Sequence, residues 1–358
     1  MRISQEALSE PLERLVAAGA PGAAAWVRDE TGIRRAACGV ADLRTGRAMR
    51  PELHFRAGSM TKPLVATVVL QLVAEGALSL ADTVGRRLPG TLPAAEGVTI
   101  RQLLNHTGGV PDYVATAFQA LYGSRQGRLR VWTPRELVGL VAGQPPLFPP
   151  GTSWRYSNTG YVLLGLMVEA TTGRTLAQEL AGRIFEPLGL VGTSLPDDSA
   201  RFAGPRARGY SLPQDPDGRV LDGPLLDITV QCPSWAWAAG ALVSTLDDLG
   251  RFLGALTGGR LLPPALLAEM RTTVAAPPEA VPVPLFERYG LGLAESEVPG
   301  GRLVGHSGGI PGFLCTVLST PDGHRQLGLM INALYAPEPA VAAFLRAYHE
   351  LGARIVAA

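Results

Sequence analysis

The order of apolar and polar residues near the amino end predicts a helix, two strands and a second helix. Residues 4–18 place apolar side chains at helical spacing. Two strand-like runs follow, Ala23–Val27 and Ile33–Val40, separated by the turn-forming sequence Asp29-Glu30-Thr31-Gly32. Residues 64–76 are apolar on nearly every side of a helix, which is typical of a helix at the centre of a large fold.

The remainder of the chain has a helical middle and a carboxyl end that contains strands. The middle is rich in proline and glycine and carries helical patterns at 134–142 and 161–172. Beyond Trp237 a helix is predicted over 247–257, and a closing helix carries apolar residues from Val341 to Leu351 on one face. Extended segments are predicted at 289–293, 313–318 and 326–332.

Strands at both ends and helices between them indicate a sheet domain with a helical insertion. We predict an α/β (α+β) fold in which an antiparallel sheet is flanked by helices. Residues 1–85 and 231–358 would form the sheet-containing domain, and residues 86–230 would form the inserted, mainly helical domain. The active site is expected at the interface between the two domains.

Composition narrows the possible partners and cofactors. The 358 residues have a net charge of +1, so there is no electrostatic reason to expect nucleic acid or an anionic membrane as a partner. The three cysteines and five histidines lack the spacing of a disulfide framework or a metal site. We therefore expect no metal and no other cofactor. The chain also shows no secretory signal pattern and no apolar stretch long enough to span a bilayer, which favours a cytoplasmic protein.

The chain contains a single lysine, Lys62, among 32 basic residues. Arginine cannot lose a proton near neutral pH, whereas a buried lysine can, because burial disfavours the ammonium form. Lys62 lies three residues after Ser59, so on a helix the two side chains share one face. Pro63 is tolerated only in a first helical turn, which places the helix start and its positive dipole end close to Ser59. This pattern predicts a serine nucleophile activated by a lysine; a helix-capping serine beside a lysine kept for packing is the alternative.

Two further segments carry candidate chemistry. Tyr156 and Asn158 lie two residues apart in the turn predicted over 149–158, and a phenol near an ammonium is expected to have a lowered pKa and so to exchange protons. Residues 305–312, Gly-His-Ser-Gly-Gly-Ile-Pro-Gly, lie between strand-like runs, and their glycines would let the backbone approach a substrate closely and offer N–H groups to an oxyanion.

In this order, Ser59-x-x-Lys62, Tyr156-x-Asn158 and His306-x-Gly308 resemble the motifs of the serine β-lactamase-like superfamily. The resemblance is greatest to class C β-lactamases, D,D-carboxypeptidases, D-aminopeptidases and related esterases, and it extends from about residue 10 to the carboxyl end. It implies that Ser59 is acylated while Lys62 and Tyr156 exchange protons, and that Asn158 positions Lys62 and substrate.

The resemblance also implies roles for the third motif. The backbone N–H groups of Ser59 and Gly309 would form the oxyanion hole. His306, Ser307 and Gly308 would contact substrate, with His306 where β-lactamases usually carry a lysine. Because the chain has no second lysine, efficient β-lactam hydrolysis is not expected.

Other interpretations assign the chemistry differently. Gly305-His306-Ser307-Gly308-Gly309 matches the Gly-x-Ser-x-Gly elbow of α/β-hydrolases, with Ser307 as nucleophile. That elbow must pass from strand into helix, and Pro311 and Gly312 leave no room for a helix. A non-catalytic relative that binds a ligand is a third class. The similar segment 106–111, His-Thr-Gly-Gly-Val-Pro, is interpreted as a loop between the domains, with Tyr113 and Trp237 as candidate apolar pocket walls.

The sequence thus predicts a serine acyl-hydrolase or acyl-transferase that works through a Ser59 ester. Expected substrates are small esters, D-amino-acid amides or peptides, and a transacylase that passes the acyl group to an amine is the alternative. The acyl donor, the acceptor and the oligomeric state stay open.

Overall fold

The strands lie mainly at the two ends of the chain. The computed structural model describes residues 3–196, 198–200, 204–215, 219–280 and 285–357. Its strands are β1 (Gly22–Asp29), β2 (Gly32–Asp42), β3 (Arg47–Ala48), β4 (Phe55–Arg56), β5 (Tyr210–Ser211), β6 (Leu226–Asp227), β7 (Val243–Ser244), β8 (Val274–Ala275), β9 (Arg288–Tyr289), β10 (Ala294–Val298), β11 (Gly301–Ile310), β12 (Phe313–Ser319) and β13 (Gln326–Ile331).

Nine of these strands form one sheet in the order β3-β2-β1-β13-β12-β11-β10-β9-β8, and neighbouring strands are antiparallel. The pairing of β1 with β13, which brings Ala23 opposite Ile331, joins the two ends of the chain in one sheet. The hairpin between β11 and β12 turns at Pro311 and Gly312. The predicted antiparallel sheet flanked by helices is therefore confirmed.

Helices cover both faces of the sheet and fill the middle of the chain. They are α1 (Gln5–Ala17), α2 (Thr61–Ala74), α3 (Val84–Arg87), α4 (Ile100–Leu104), α5 (Tyr113–Phe118), α6 (Arg125–Leu129), α7 (Pro134–Gly139), α8 (Asn158–Thr172), α9 (Leu176–Leu180), α10 (Glu186–Leu188), α11 (Trp237–Gly240), α12 (Leu246–Thr257), α13 (Pro264–Arg271) and α14 (Glu338–Ala357). Within the described ranges, no helix combines the length and apolar character needed to cross a membrane.

Alternating side chains of the sheet enter two separate cores. On β1, Ala23, Ala25 and Val27 pack with α1 and α14, whereas Ala24 and Trp26 face the core that contains α2, α8 and α12. This alternation follows from the two-residue period of a strand. Helix α2 lies inside the core that also contains α8 and α12. A helix surrounded in this way is apolar on every side, as the sequence of α2 predicts.

The prediction of one strand over 289–293 is wrong. Strand β9 ends at Tyr289 and β10 begins at Ala294, and the Gly290 N–H donates to the Leu293 carbonyl 2.7 Å away, so the segment is the turn of a hairpin. The main sheet draws its described strands from residues 22–48 and 274–331. The domain boundaries after residues 85 and 230 stay predictions.

Candidate active site

Ser59 lies in a 3₁₀ turn, Gly58–Met60, that leads directly into α2. Two glycines bring strand β11 against this turn. A Cβ on Gly308 would lie 1.9 Å from the Ala57 carbonyl oxygen, and a Cβ on Gly58 would lie 2.8 Å from the Gly309 carbonyl oxygen. The Gly309 backbone is therefore a neighbour of the residue that precedes Ser59, and the oxyanion hole formed by the Ser59 and Gly309 N–H groups stays a prediction.

Lys62 is completely buried in the first turn of α2 and reaches back to Ser59. Its Nζ lies 3.1 Å from Ser59 Oγ, 2.8 Å from Asn158 Oδ1 and 2.7 Å from the Ala239 carbonyl oxygen. The Tyr156 and Tyr161 rings face the same nitrogen, with centroids 4.7 and 5.3 Å away. Burial lowers the pKa of Lys62 from 10.5 to about 7, although the charge of Asp112 acts in the opposite direction.

These three contacts orient the neutral amine. A neutral lysine has two N–H hydrogens and one lone pair. Asn158 Oδ1 and the Ala239 carbonyl are acceptors without a proton to give, so each takes one N–H. The lone pair is then directed at the Ser59 hydroxyl, which is the geometry that a general base requires.

Asp112 fixes the orientation of the Asn158 amide. One carboxylate oxygen accepts from the Asn158 backbone N–H at 3.0 Å, and the other accepts from Asn158 Nδ2 at 3.1 Å. With Nδ2 held by Asp112, Oδ1 must face Lys62. Asn158 is itself the first residue of α8, behind the capping residue Ser157. Sequence reasoning missed Asp112.

Tyr156 is buried beside the nucleophile, and its hydroxyl hydrogen bonds with the Ser59 side chain. Burial raises the pKa of Tyr156 well above its ordinary value of 10.0, and this effect exceeds the lowering by the hydrogen bond. The expectation that a nearby ammonium lowers the pKa of this phenol is therefore wrong, because Lys62 itself loses its charge near neutral pH. Tyr156 stays protonated there, which suits it to donate a proton rather than to remove one.

His306 projects from β11 into the site and is held by two hydrogen bonds. Its Nδ1 lies 2.5 Å from the Ser307 carbonyl oxygen, so it donates, and its Nε2 lies 2.8 Å from the Tyr289 hydroxyl, from which it accepts. Burial lowers the pKa of His306 to about 3. The imidazole is thus neutral, with its proton on Nδ1.

Ser307 lies inside β11, where its hydroxyl donates to Thr316 Oγ1 on β12 at 3.2 Å. The strand continues to Ile310 and turns into β12. The α/β-hydrolase interpretation is wrong, because the residue is not at a junction between strand and helix.

His106 is buried in a cluster of rings behind Tyr156 and does not line the main cavity. Its ring centroid lies 4.3 Å from that of Tyr156 and 4.8 Å from that of Tyr289. The Ser157 N–H donates to its Nδ1 at 3.2 Å. Its pKa is lowered well below 6.5 by burial, and Lys62 and His306 add to the lowering.

A cavity of about 200 Å³ opens beside Ser59. Asn158, His306, Ser307 and Gly309 form its polar side. Its apolar walls are Tyr113, Val114, Phe118, Tyr156, Trp235, Phe286, Ile310, Leu314, Leu334 and Tyr335, with smaller contributions from Ala236, Ala239, Gly240 and Pro311. Tyr113 lies in the wall as the sequence suggests, and its hydroxyl donates to the Trp235 carbonyl at 2.6 Å.

Trp237 is not a wall of this cavity in the part of the chain that the structure describes. Its ring packs against Gly165 of α8, where an added Cβ would lie 2.8 Å away. The proposal of Trp237 as a pocket residue is therefore wrong, and Trp235, two residues earlier, takes that place. Among the described residues, no group of histidine, cysteine and acidic side chains is suited to a metal ion.

The chain is similar to known proteins in both sequence and fold. A sequence model of the family described as Beta-lactamase matches residues 8–350. The solved structure of a D-stereospecific amidohydrolase from Streptomyces sp. superposes with a TM-score of 0.84 at 37% identity, covering 95% of this chain and 97% of that one.

Two curated relatives extend the comparison. A D-aminopeptidase from Brucella anthropi is 31% identical over 88% of this chain and 56% of its own length. The esterase EstB from Burkholderia gladioli is 37% identical over 53% of this chain and 50% of its own length. The chain thus spans about half the length of these two relatives.

Proposed function

Because the chain belongs to the β-lactamase family, we propose that it is a serine acyl-hydrolase that forms a covalent ester on Ser59. Its substrates in this proposal are small esters, D-amino-acid amides or related peptides. The similarity to an amidohydrolase, a D-aminopeptidase and an esterase supports this range of amides and esters.

The single observation that carries the proposal is the position of Lys62. A fully buried amine with a pKa of about 7 lies 3.1 Å from Ser59 Oγ, and its two N–H groups have other acceptors. It removes the Ser59 proton as Oγ attacks the substrate carbonyl. Protonated Tyr156, which contacts Ser59, gives its proton to the leaving group and is reprotonated from Lys62. Water then hydrolyses the ester and releases the acid.

Mass spectrometry of the intact protein tests the nucleophile. A p-nitrophenyl ester or a fluorophosphonate is expected to add one acyl or phosphonyl group to Ser59. Ser59→Ala should abolish the adduct, whereas Ser307→Ala should retain it. An adduct that survives Ser59→Ala and disappears with Ser307→Ala would contradict the proposal. Adding an amine to the ester assay separates hydrolysis from the transacylase alternative, since transfer yields the amide in place of the free acid.

Lys62→Arg tests the base. Arginine keeps the charge and most of the reach but cannot deprotonate near neutral pH. We expect kcat/KM to fall at least about a hundredfold, the scale of lost general-base catalysis. Lys62→Met is the matched control for loss of the charge together with the base, and it should fall by a similar factor. Turnover of Lys62→Arg close to that of the unsubstituted enzyme would remove Lys62 from the mechanism.

A further inference from the structure

The walls of the Ser59 cavity carry no formal charge in the part of the chain that the structure describes. Five aromatic residues other than Tyr156 line it, together with aliphatic side chains from α5, β11, β12 and the segment after β13. Its polar groups include the Ser59 and Ser307 hydroxyls, the Asn158 amide and the His306 imidazole, and its tyrosines add hydroxyls, none of them charged. Such a surface favours apolar groups and offers no cation to an anionic one.

His306 does not supply a positive charge or a spare donor to this cavity. Its Nδ1–H donates to the Ser307 carbonyl and its Nε2 accepts from the Tyr289 hydroxyl, so both ring nitrogens already have partners within the protein. Protonating Nε2 would force the Tyr289 hydroxyl to accept instead of donate and would place a charge inside a cluster of buried rings, and burial accordingly lowers the pKa of His306.

Lys62 is equally unavailable to a substrate anion. Its side chain is fully buried and is not part of the cavity wall, and its Nζ is surrounded by Ser59, Asn158 and the Ala239 carbonyl. A carboxylate that reached it would have to displace Asn158, which Asp112 holds by two hydrogen bonds. Asp112 would also repel that carboxylate.

Resting on the proposed acyl-enzyme function, we propose that this cavity is an acyl-group subsite for small apolar or aromatic acyl groups and that it discriminates against acyl groups carrying a carboxylate. A volume of about 200 Å³ lies below the usual range for drug-sized ligands, so the acyl group is a short chain or a single ring. A carboxylate placed there loses its hydration without gaining a cationic partner. An ammonium group is not excluded by the same argument, because aromatic faces attract cations.

Two esters of equal length test the discrimination. p-Nitrophenyl hexanoate and mono-p-nitrophenyl adipate share the leaving group and the six-carbon acyl chain, and they differ in a terminal methyl against a terminal carboxylate. After correction for their rates without enzyme, kcat/KM for the adipate ester should be lower by at least about a hundredfold, as expected for an unpaired buried charge. Equal values for the two esters would overturn the subsite. If neither ester left an adduct on Ser59, the proposed function itself would fail.

A charge added to the wall provides the second measurement. Leu334 is a half-buried wall residue that lies beside Gly309 and has no part in the proposed chemistry. Leu334→Arg should raise the ratio of adipate to hexanoate kcat/KM at least about tenfold, because a guanidinium pairs with a carboxylate. Leu334→Met is the matched control and should leave the ratio within about twofold. A folded Leu334→Arg enzyme with an unchanged ratio would overturn the electrostatic explanation.

Discussion

The two His-x-Gly-Gly segments of this chain have nearly the same sequence and different structures. Residues 106–111, His-Thr-Gly-Gly-Val-Pro, form a loop after α4 in which His106 has a left-handed backbone with φ of 62°. Residues 306–311, His-Ser-Gly-Gly-Ile-Pro, are strand residues of β11 up to Ile310. Residues 99–104 form a helical turn with a capping box before the loop, whereas residues 301–305 already pair with β10 before the strand segment. The flanking residues therefore decide the conformation.

The two histidines also differ in tautomer. His306 donates from Nδ1 to a carbonyl and accepts at Nε2 from Tyr289. His106 accepts at Nδ1 from the Ser157 N–H, so its proton is on Nε2, and that nitrogen has no hydrogen-bond partner among the described groups. His306 lines the cavity, whereas His106 does not line it and packs against the Tyr156 ring. Identical residue types take different roles because their hydrogen-bond partners differ.

The largest expected effect comes from substituting the glycine that follows residue 307. The corresponding glycine in the loop segment follows residue 107. In Gly308→Ala the new Cβ meets the Ala57 carbonyl, so β11 must move away from the Ser59 turn. We expect a loss of about 3 kcal/mol in the free energy of unfolding, the upper part of the overpacking range. We also expect at least about a hundredfold loss in kcat/KM, since a displacement of about 1 Å can cost that much. Chemical denaturation and ester hydrolysis measure the two.

Gly108→Ala is the matched variant in the loop. Its Cβ would lie 2.6 Å from Val98 Cγ1, a side-chain atom that can move, so about 1 kcal/mol and less than a tenfold loss in kcat/KM are expected. For the second glycine of each segment, the loop position should be the more sensitive to substitution by alanine. Gly109 has φ of 66°, and its Cβ would meet the Phe148 carbonyl. A Cβ on Gly309 would meet only leucine side chains. Equal losses for Gly308→Ala and Gly108→Ala would contradict the structural difference between the motifs.

Local sequence predicted the parts of the site that depend on short spacing. Ser59 and Lys62 are three residues apart, so a helical turn is enough to bring Oγ and Nζ together. Residues 305–312 were predicted to lie between two strand-like runs with no helix after Pro311 and Gly312, and these two residues form the turn from β11 to β12. The apolar character of α2 on nearly every side and the apolar face of α14 were likewise predicted from the spacing of their apolar residues.

The features of the site that depend on contacts between distant residues could not be predicted from the sequence. Asp112 is 46 residues from Asn158, and its sequence, Pro-Asp-Tyr, is that of an ordinary turn. The direction of the Tyr156 pKa depends on burial, which spacing does not reveal. Trp235 and Trp237 are two residues apart, and only the path of α11 beside α8 decides that Trp235 reaches the cavity.

The second comparison replaces each of the two histidines by alanine. His106→Ala removes a buried ring that packs on Tyr156 and leaves the Ser157 N–H without its acceptor, so we expect a loss of about 2–4 kcal/mol in the free energy of unfolding. His306→Ala should lower kcat/KM about tenfold, because it removes a cavity wall and the acceptor of Tyr289. The measurement is kcat/KM per folded enzyme beside a denaturation midpoint. A larger catalytic loss for His106→Ala than for His306→Ala would contradict the assignment of His306 to the cavity.

The smallest expected effect concerns the pH dependence of kcat/KM and the residue after each proline. Asp112 follows Pro111, and Gly312 follows Pro311. Lys62 is the group of this site with a pKa near neutrality, since the pKa values of His106 and His306 are lowered and that of Tyr156 is raised. Because the neutral amine is the base, kcat/KM should rise with pH through about 7. The charge of Asp112 favours the ammonium, so Asp112→Asn lowers the pKa of Lys62 and moves this rise to lower pH.

The carboxamide of Asp112→Asn keeps one oxygen for the Asn158 backbone N–H but loses the acceptor of Asn158 Nδ2, so the plateau of kcat/KM at high pH should fall by up to about tenfold. Asp29→Asn is the control, because Asp29 is a buried acid whose partners are Thr31 and Arg34, and its pH profile should not move. A rise that stays in place, or moves to higher pH, would show that Asp112 does not act on Lys62 through its charge. A shift to lower pH in Asp112→Asn but not in Asp29→Asn would show that Asp112, the residue after segment 106–111, acts on the protonation of Lys62. The corresponding residue after segment 306–311 is Gly312, which has no charge and lies in the turn from β11 to β12.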